Sequence, residues 1–225
     1  MSALHDRRYA LAAAAIRLFA ARGLEGTTVE EIAAEAGVSP RTFFRHFATK
    51  EAAAFPDHEE RIQELRELLA ARRGASSPLD AVLEVTQSTA REYFDETDLY
   101  RARIAVVRAN PSLRDFERVV DQQYEDAIAG YLAAEMPPAA DVTLRARVIA
   151  AGVVAAVNDV LDTWTTDEGS DPEALLWRAV EVLRRAFAAM AAPAPEDGAP
   201  IVMRMPADLR DRLVAALTAD RKLST

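Results

Sequence analysis

The apolar positions of this chain recur every three to four residues along most of its length, so it reads as a succession of helices. In residues 1–22, Tyr9, Ala13, Ile16, Phe19 and Ala20 form one stripe, and Gly23 stands at a helix C-cap. Val29, Ile32, Ala33 and Ala36 then recur at i, i+3, i+4 and i+7. Thr28 precedes them with Glu31 three residues on, the spacing of a capping box. Gly37 ends that helix and Val38 packs inward from the turn. Ser39 caps the next helix, and Pro40 occupies its first turn, where a missing N–H goes unfelt. Phe43 and Phe47 lie four apart on one face and anchor it. The pattern over residues 27–51 is two short helices joined by a tight turn.

Residues 50–73 read as a connecting helix that Pro56 kinks or restarts, with Asp57 as a cap and Ile62, Leu65, Leu69 and Ala70 as its later stripe. A helix over 78–94 carries Leu79, Val82, Val85, Thr89 and Tyr93. A shorter one over 98–109 stops at Asn110-Pro111. Residues 112–136 hold Leu113, Phe116, Val119, Val120, Tyr124, Ile128 and Leu132 in register. The longest helix, 141–166, spans about 39 Å and is nearly free of charge over 148–158. Residues 172–192 complete the helical core with Leu176, Val180, Leu183, Phe187 and Met190. APAPEDGAP is a linker, and the tail that follows places Leu209, Leu213 and Leu217 on one helix face.

The expected fold is therefore all-α: an N-terminal three-helix unit with a helix-turn-helix at 1–49, a larger helical domain at 50–192, and a linker with an amphipathic tail at 193–225. Composition agrees, with half of the 225 residues hydrophobic and only eight Gly and eleven Pro. No apolar run reaches the roughly 18 residues a membrane span needs, and the first residues lack a signal-peptide core. A cytoplasmic location without membrane contact is the expectation. The absence of cysteine excludes disulfides and thiolate metal sites.

The net charge of −9 is unevenly placed. Residues 1–50 hold seven Lys/Arg and five Asp/Glu, a net +2, and the rest holds 20 and 31, a net −11. On the second short helix, steps of about 100° put Arg45 at about 40° from Arg41, Thr42 at about 100°, His46 at about 140° and Phe44 at about 300°, with Phe43 and Phe47 opposite at about 200° and 240°. Its open face carries two arginines, a hydroxyl, an imidazole and an aromatic ring, and no acid. Such a face suits the major groove, where arginine reads guanine edges and phosphates take the remaining contacts.

At these residues the chain resembles the tetracycline-repressor (TetR) family, whose signature runs close to T-V-x-x-I-A-x-x-A-G-V-S-x-x-T-L-Y-x-H-F-x-x-K-E. Thr28, Val29, Ile32, Ala33, Ala36, Gly37, Val38, Ser39, Thr42, His46, Phe47, Lys50 and Glu51 match it. Phe43 replaces leucine, and Phe44 replaces a tyrosine whose hydroxyl often meets phosphate. The wording RTFFRHFATKEAAAFPDH and RARIAVVRANPSLRDFE is similar to the mycofactocin-regulator subgroup, associated with acyl-CoA-like ligands.

The resemblance implies a homodimer on double-stranded operator DNA, held together by the helices near 141–166 and 172–192. Arg41, Arg45 and His46 are then the base readers. Thr28, Ser39, Thr42 and Lys50 meet phosphate or cap the presenting helices, and Phe44 stands on the same face. An unidentified small-molecule effector would enter the larger domain among Phe94, Tyr100, Arg103, Val107, Tyr124, Asn158 and Trp164. Movement of the connecting helix would then release a repressor from DNA. No cofactor is implied. Two other classes are an architectural or activating DNA-binding protein without effector, and an enzyme on a helical bundle. Against the second, His5, His46 and His58 have no ligand partners at helical spacing, and neither a nucleophile motif nor a Gly-rich phosphate loop is present.

Overall fold

A computed structural model describes residues 3–95, 97–167 and 169–192. Among these, the chain forms nine α-helices: α1 (Ala3–Arg22), α2 (Val29–Glu35), α3 (Pro40–His46), α4 (His58–Ala70), α5 (Pro78–Asp95), α6 (Thr97–Ala109), α7 (Pro111–Glu135), α8 (Val142–Thr166) and α9 (Pro172–Ala191). The linker and tail expected at 193–225 lie outside the described residues.

Local signals set the first three helices. Thr28 Oγ1 accepts from the Glu31 N–H at 3.2 Å, and the Glu31 carboxylate accepts from the Thr28 N–H at 2.9 Å, so the capping box is closed. Gly37 turns the chain at φ +67°, a conformation that a Cβ would strain. Ser39 Oγ then accepts the Thr42 N–H at 3.2 Å, and Pro40 begins α3.

Several boundaries and faces differ from the sequence expectation. The connecting segment is not one helix: Glu51–Ala54 form a single 3₁₀ turn and α4 restarts after Pro56. Asp57 stands at the N-cap position of α4 but makes no cap bond. Its buried carboxylate instead pairs with Arg61, a stronger partner than a backbone N–H in a site with little water. The helix expected from 112 starts at Pro111, with Asn110 in front of it. Val119 points outward because it lies about 100° from buried Val120 on the same helix. On α1, Ala20 is exposed, whereas Leu11, Ala12, Ala14 and Ala15 are buried, since α1 is covered on several sides by α2, the 3₁₀ turn and α6. Arg7 and Arg8 lie within α1.

Two large apolar clusters result. One joins Leu11, Ile16, Phe19, Ile32, Phe43 and Phe47 to Phe55, Val106, Leu113 and Val120, so the core of the small N-terminal unit runs on into α6 and α7. The other fills the space between α4, α5, α7, α8 and α9. Within it a Cβ at Gly152 would lie 2.6 Å from the Phe187 ring, so the glycine is what lets α8 and α9 approach this closely. Buried Arg145 of α8 donates to the Ala192 carbonyl at 3.0 Å and thereby caps the end of α9.

Candidate functional site

The presenting helix of the helix-turn-helix is α3. Phe43 is fully buried and Phe47 nearly so, their rings 5.5 Å apart, and they fix the rotation of α3 on the core. The opposite face is thereby forced outward. Arg41 and Arg45 are exposed and make no ion pair with any described residue, and Phe44 is 56% exposed. Thr42 is half-buried, with its hydroxyl 3.0 Å from Ser39 Oγ; Ser39 and Thr28 are both exposed at helix N-termini. His46 is half-buried, and its Nε2 is shut off from solvent without a hydrogen-bond partner. Burial, and then the charges of Arg45, Arg8 and Arg7, hold its imidazole below the usual range, so the ring is neutral at pH 7.

Lys50 is placed differently from the others. Its Nζ donates to the carbonyls of Leu24 (2.7 Å) and Thr27 (3.1 Å), spending two of three donors on the loop between α1 and α2. Asn110 clamps the same loop from the body: its Oδ1 accepts the Leu24 N–H at 3.4 Å while its Nδ2 donates to the Val106 carbonyl at 2.6 Å. Arg8 reaches the first turn of α4, 3.7 Å from Glu59 and 3.6 Å from Glu60, and its guanidinium lies 5.1 Å from the Phe47 ring centre.

A cavity of about 160 Å³ lies among α4, α5, α6, α7 and α8. Of the residues named from sequence, Tyr100, Arg103, Val107, Tyr124 and Asn158 line it. Phe94 and Trp164 do not: their rings meet at 5.1 Å in an aromatic cluster beside it. Asp57, which reads as a cap in the sequence, Tyr93, which reads as stripe packing, and Arg61, Thr86, Glu117 and Asp121 also line the cavity without being expected there. The signal available for Arg61 was its place on the apolar side of α4, one residue before Ile62.

The polar groups here fall into two sets. Arg61 is neutralised: it pairs with Asp57, donates to Glu92 at 2.9 Å and lies 4.2 Å from the Tyr93 ring centre. Burial opposes the Asp57 charge, but the Arg61 guanidinium outweighs it and holds that carboxyl below its usual range. The Tyr9 hydroxyl of α1 donates to the same carboxylate at 3.3 Å, which joins the cavity wall to the N-terminal unit. Arg103 has no carboxylate within ion-pair distance among the described residues. It donates to the Tyr100 hydroxyl at 2.6 Å and lies over the rings of Tyr100 (4.1 Å) and Phe55 (5.2 Å). Burial pushes the carboxyls of Glu117 and Asp121 up, with Asn158 donating to Asp121 at 3.0 Å. It also drives the phenols of Tyr93, Tyr100 and Tyr124 up, so they are neutral donors and acceptors.

A capped helix-turn-helix whose second helix turns exposed arginines outward, on a helical body enclosing a cavity, defines a DNA-binding transcriptional regulator. Residues 11–52 match the family model of bacterial regulatory proteins, tetR family, and residues 76–194 match that of the MftR C-terminal domain. The chain belongs to the TetR family of transcriptional regulators and carries an MftR-type C-terminal domain. It is 31% identical over 167 residues to the transcriptional regulator TcmR of Streptomyces glaucescens, covering 72% of this chain and 74% of that one. It is 29% identical over 126 residues to the putative mycofactocin biosynthesis regulator MftR of Mycobacterium tuberculosis, covering 53% and 60%. Among solved structures, the complex of SmeT with triclosan superposes with a TM-score of 0.57 at 19% identity, covering 89% of this chain and 99% of that one. NalD of Pseudomonas aeruginosa gives 0.56 at 20%, covering 81% and 96%. These families and relatives are transcriptional regulators, not enzymes. Among the described residues no helix is long and apolar enough to cross a membrane.

Proposed function

We propose that this regulator is a cytoplasmic homodimeric repressor that leaves its operator when a small molecule enters the cavity. Residues 1–49 are the DNA-binding unit, 50–192 bind the effector and dimerise, and 193–225 are a linker and tail. Each α3 enters a major groove, with Arg41 and Arg45 toward base edges and His46 beside them with its Nε2 turned away from the groove; Thr28, Ser39, Thr42, Phe44 and the one N–H that Lys50 does not spend on the loop lie along the backbone contacts. Exposed Leu144 and Val148 on α8 and Trp177 and Val182 on α9 supply the apolar face for the second copy.

The observation that supports effector control is the double role of Asp57. It lines the cavity, and it accepts the Tyr9 hydroxyl from α1. A guest that displaces Arg61 or Asp57 thus acts on the packing of the N-terminal unit, and binding shifts the population of head spacings. The acyl-CoA-like ligand implied by the MftR-type domain is larger than this cavity. Drug-sized ligands fill roughly 300–1,000 Å³, so only the acyl end of such a molecule enters about 160 Å³ without rearrangement.

The test is fluorescence-anisotropy binding to DNA from upstream of the protein's own gene, beside scrambled DNA, at two salt concentrations. Sequence-selective binding by two subunits per site, reversed by a compound that also raises the melting temperature, is the expected result. Equal, weak binding to both DNAs would point to an architectural role, and selective binding that no stabilising compound reverses would remove the effector.

A further inference from the structure

The Arg103 guanidinium is the cavity's unspent charge. Its Nε is buried and has no hydrogen-bond partner, and no described carboxylate stands within ion-pair distance. Its neighbours are aromatic: Tyr100 and Phe55 flank the guanidinium, and Tyr93 lies 4.7 Å from Tyr100, ring to ring. The nearby acids act on it only from a distance, none of them as an ion-pair partner among the described residues. Asp57 is paired with Arg61, and burial holds the carboxyls of Glu117 and Asp121 above their usual range, against the pull of Arg103 itself.

A second polar group in the lining is also unsatisfied. Thr86 of α5 is 9% exposed, and its Oγ1 is buried without a partner. Buried polar atoms are paired in the great majority of folded proteins, and among the described residues Arg103 and Thr86 are the two with such an unpaired atom that also line the cavity. Arg103 Nε can only donate, whereas the Thr86 hydroxyl donates or accepts. Ile104, Val120, Val157 and Leu161 add apolar surface to the same lining. The volume, about 160 Å³, matches a cavity of roughly 150 Å³ that takes up benzene.

Resting on the effector reading above, we propose that the effector is a compact aromatic anion. It is a single-ring carboxylate whose oxygens accept from Arg103, whose ring lies among the tyrosines, and whose far edge carries a hydroxyl for Thr86. Arg103 is the specificity-determining residue against neutral isosteres, because a neutral guest leaves the guanidinium without its countercharge.

The experiment uses the full-length protein and five probes: 4-hydroxybenzoate, benzoate, 4-hydroxybenzamide, decanoate and decanoyl-CoA. Melting temperature reads occupancy, and anisotropy of bound upstream DNA reads release. The expected order of affinity is 4-hydroxybenzoate, then benzoate, with the amide weaker by about 10- to 100-fold, the weight of one charge-assisted hydrogen bond, and decanoate weaker than benzoate because it keeps the carboxylate but brings no ring to lie among the tyrosines. Arg103→Gln erases the preference for the acid over the amide. Thr86→Val removes only the advantage of 4-hydroxybenzoate over benzoate. Because the amide comparison is made on the unaltered protein, it decides even if a variant fails to fold. Equal binding of acid and amide, or binding of decanoate alone, overturns the proposal, as does no response to any probe. Acids that bind without releasing DNA sink the effector reading and leave the anion site standing. Release by decanoyl-CoA with no response to the acids sinks the anion site alone.

Discussion

Replacing Lys50 by methionine separates a structural lysine from a phosphate-binding one. Methionine keeps much of the apolar stem and removes only the ammonium. In the folded chain that ammonium donates at 2.7 Å and 3.1 Å to two carbonyls of a loop whose Leu24 and Thr27 are each 1% exposed. A hydrogen bond to a charged group contributes about 1.5–3 kcal/mol, and two bonds from one half-buried ammonium share its desolvation, so the pair is worth roughly 2–4 kcal/mol. Asn110 still holds the Leu24 N–H in the variant, which keeps the loss near the lower end. The melting temperature should fall by about 4–8 °C for a chain of this size. Urea unfolding at fixed protein concentration checks it, with the midpoint lowered and the slope unchanged. Only the third N–H is left for a phosphate, so the salt slope of DNA binding should change by less than about one unit. Unchanged stability together with a slope lower by about one full unit would refute the structural role and make Lys50 a phosphate ligand.

Arg45→Ala removes an exposed side chain without an ion pair among the described residues, so stability should hold while discrimination between operator and scrambled DNA falls by about 1–3 kcal/mol in anisotropy titrations; equal loss on both would end its base-reading role. Glu117 has a carboxyl pushed above 4.5 by burial, so its ionised form opposes folding as pH rises through its folded-state value. Glu117→Gln should therefore be more stable than the parent at pH 7, with the gain gone below pH 4.5; urea midpoints at both pH values decide it. Trp177→Glu places a charge on an exposed apolar face of α9 and should convert the dimer to monomer in light scattering without loss of helical signal; an unchanged mass would move the interface elsewhere.

The parts of the fold legible in the sequence were those governed by neighbours in the chain. Thr28 with Glu31, and Ser39 with Pro40, define helix starts through bonds that close within three residues. The angular positions of Phe43 and Phe47 against Arg41 and Arg45 follow from 3.6 residues per turn alone. What stayed hidden depends on which helices meet. Asp57 reads as a cap until Arg61 and Tyr9 are seen to converge on it. Lys50 reads as a free cation until the loop after α1 folds beneath it. Phe94 and Trp164 were grouped with the cavity residues because aromatic rings in apolar helices signal a pocket and a packed cluster equally, and only their 5.1 Å contact separates the two. Thr86 gave no signal, since a threonine in an apolar stripe usually bonds back to its own helix, as Thr89 does to Val85 and Thr86.

The junction between the N-terminal unit and the body constrains how any signal crosses it. A loose hinge would let the helix-turn-helix swing freely, but here it shares one apolar cluster with α6 and α7, and Phe55 stacks on Phe116 at 5.1 Å. Asn110 fixes the loop after α1 to the end of α6, and Arg8 fixes α1 to the first turn of α4. Packed surfaces of this kind move between discrete arrangements rather than bending continuously. A change in the cavity therefore reaches α3 only by shifting α1, α4 and α6 as a set. Such a shift begins at the side chains that belong to both regions: Phe55, Val107 and Val120, which line the cavity and sit in that cluster, and Asp57, which holds Tyr9.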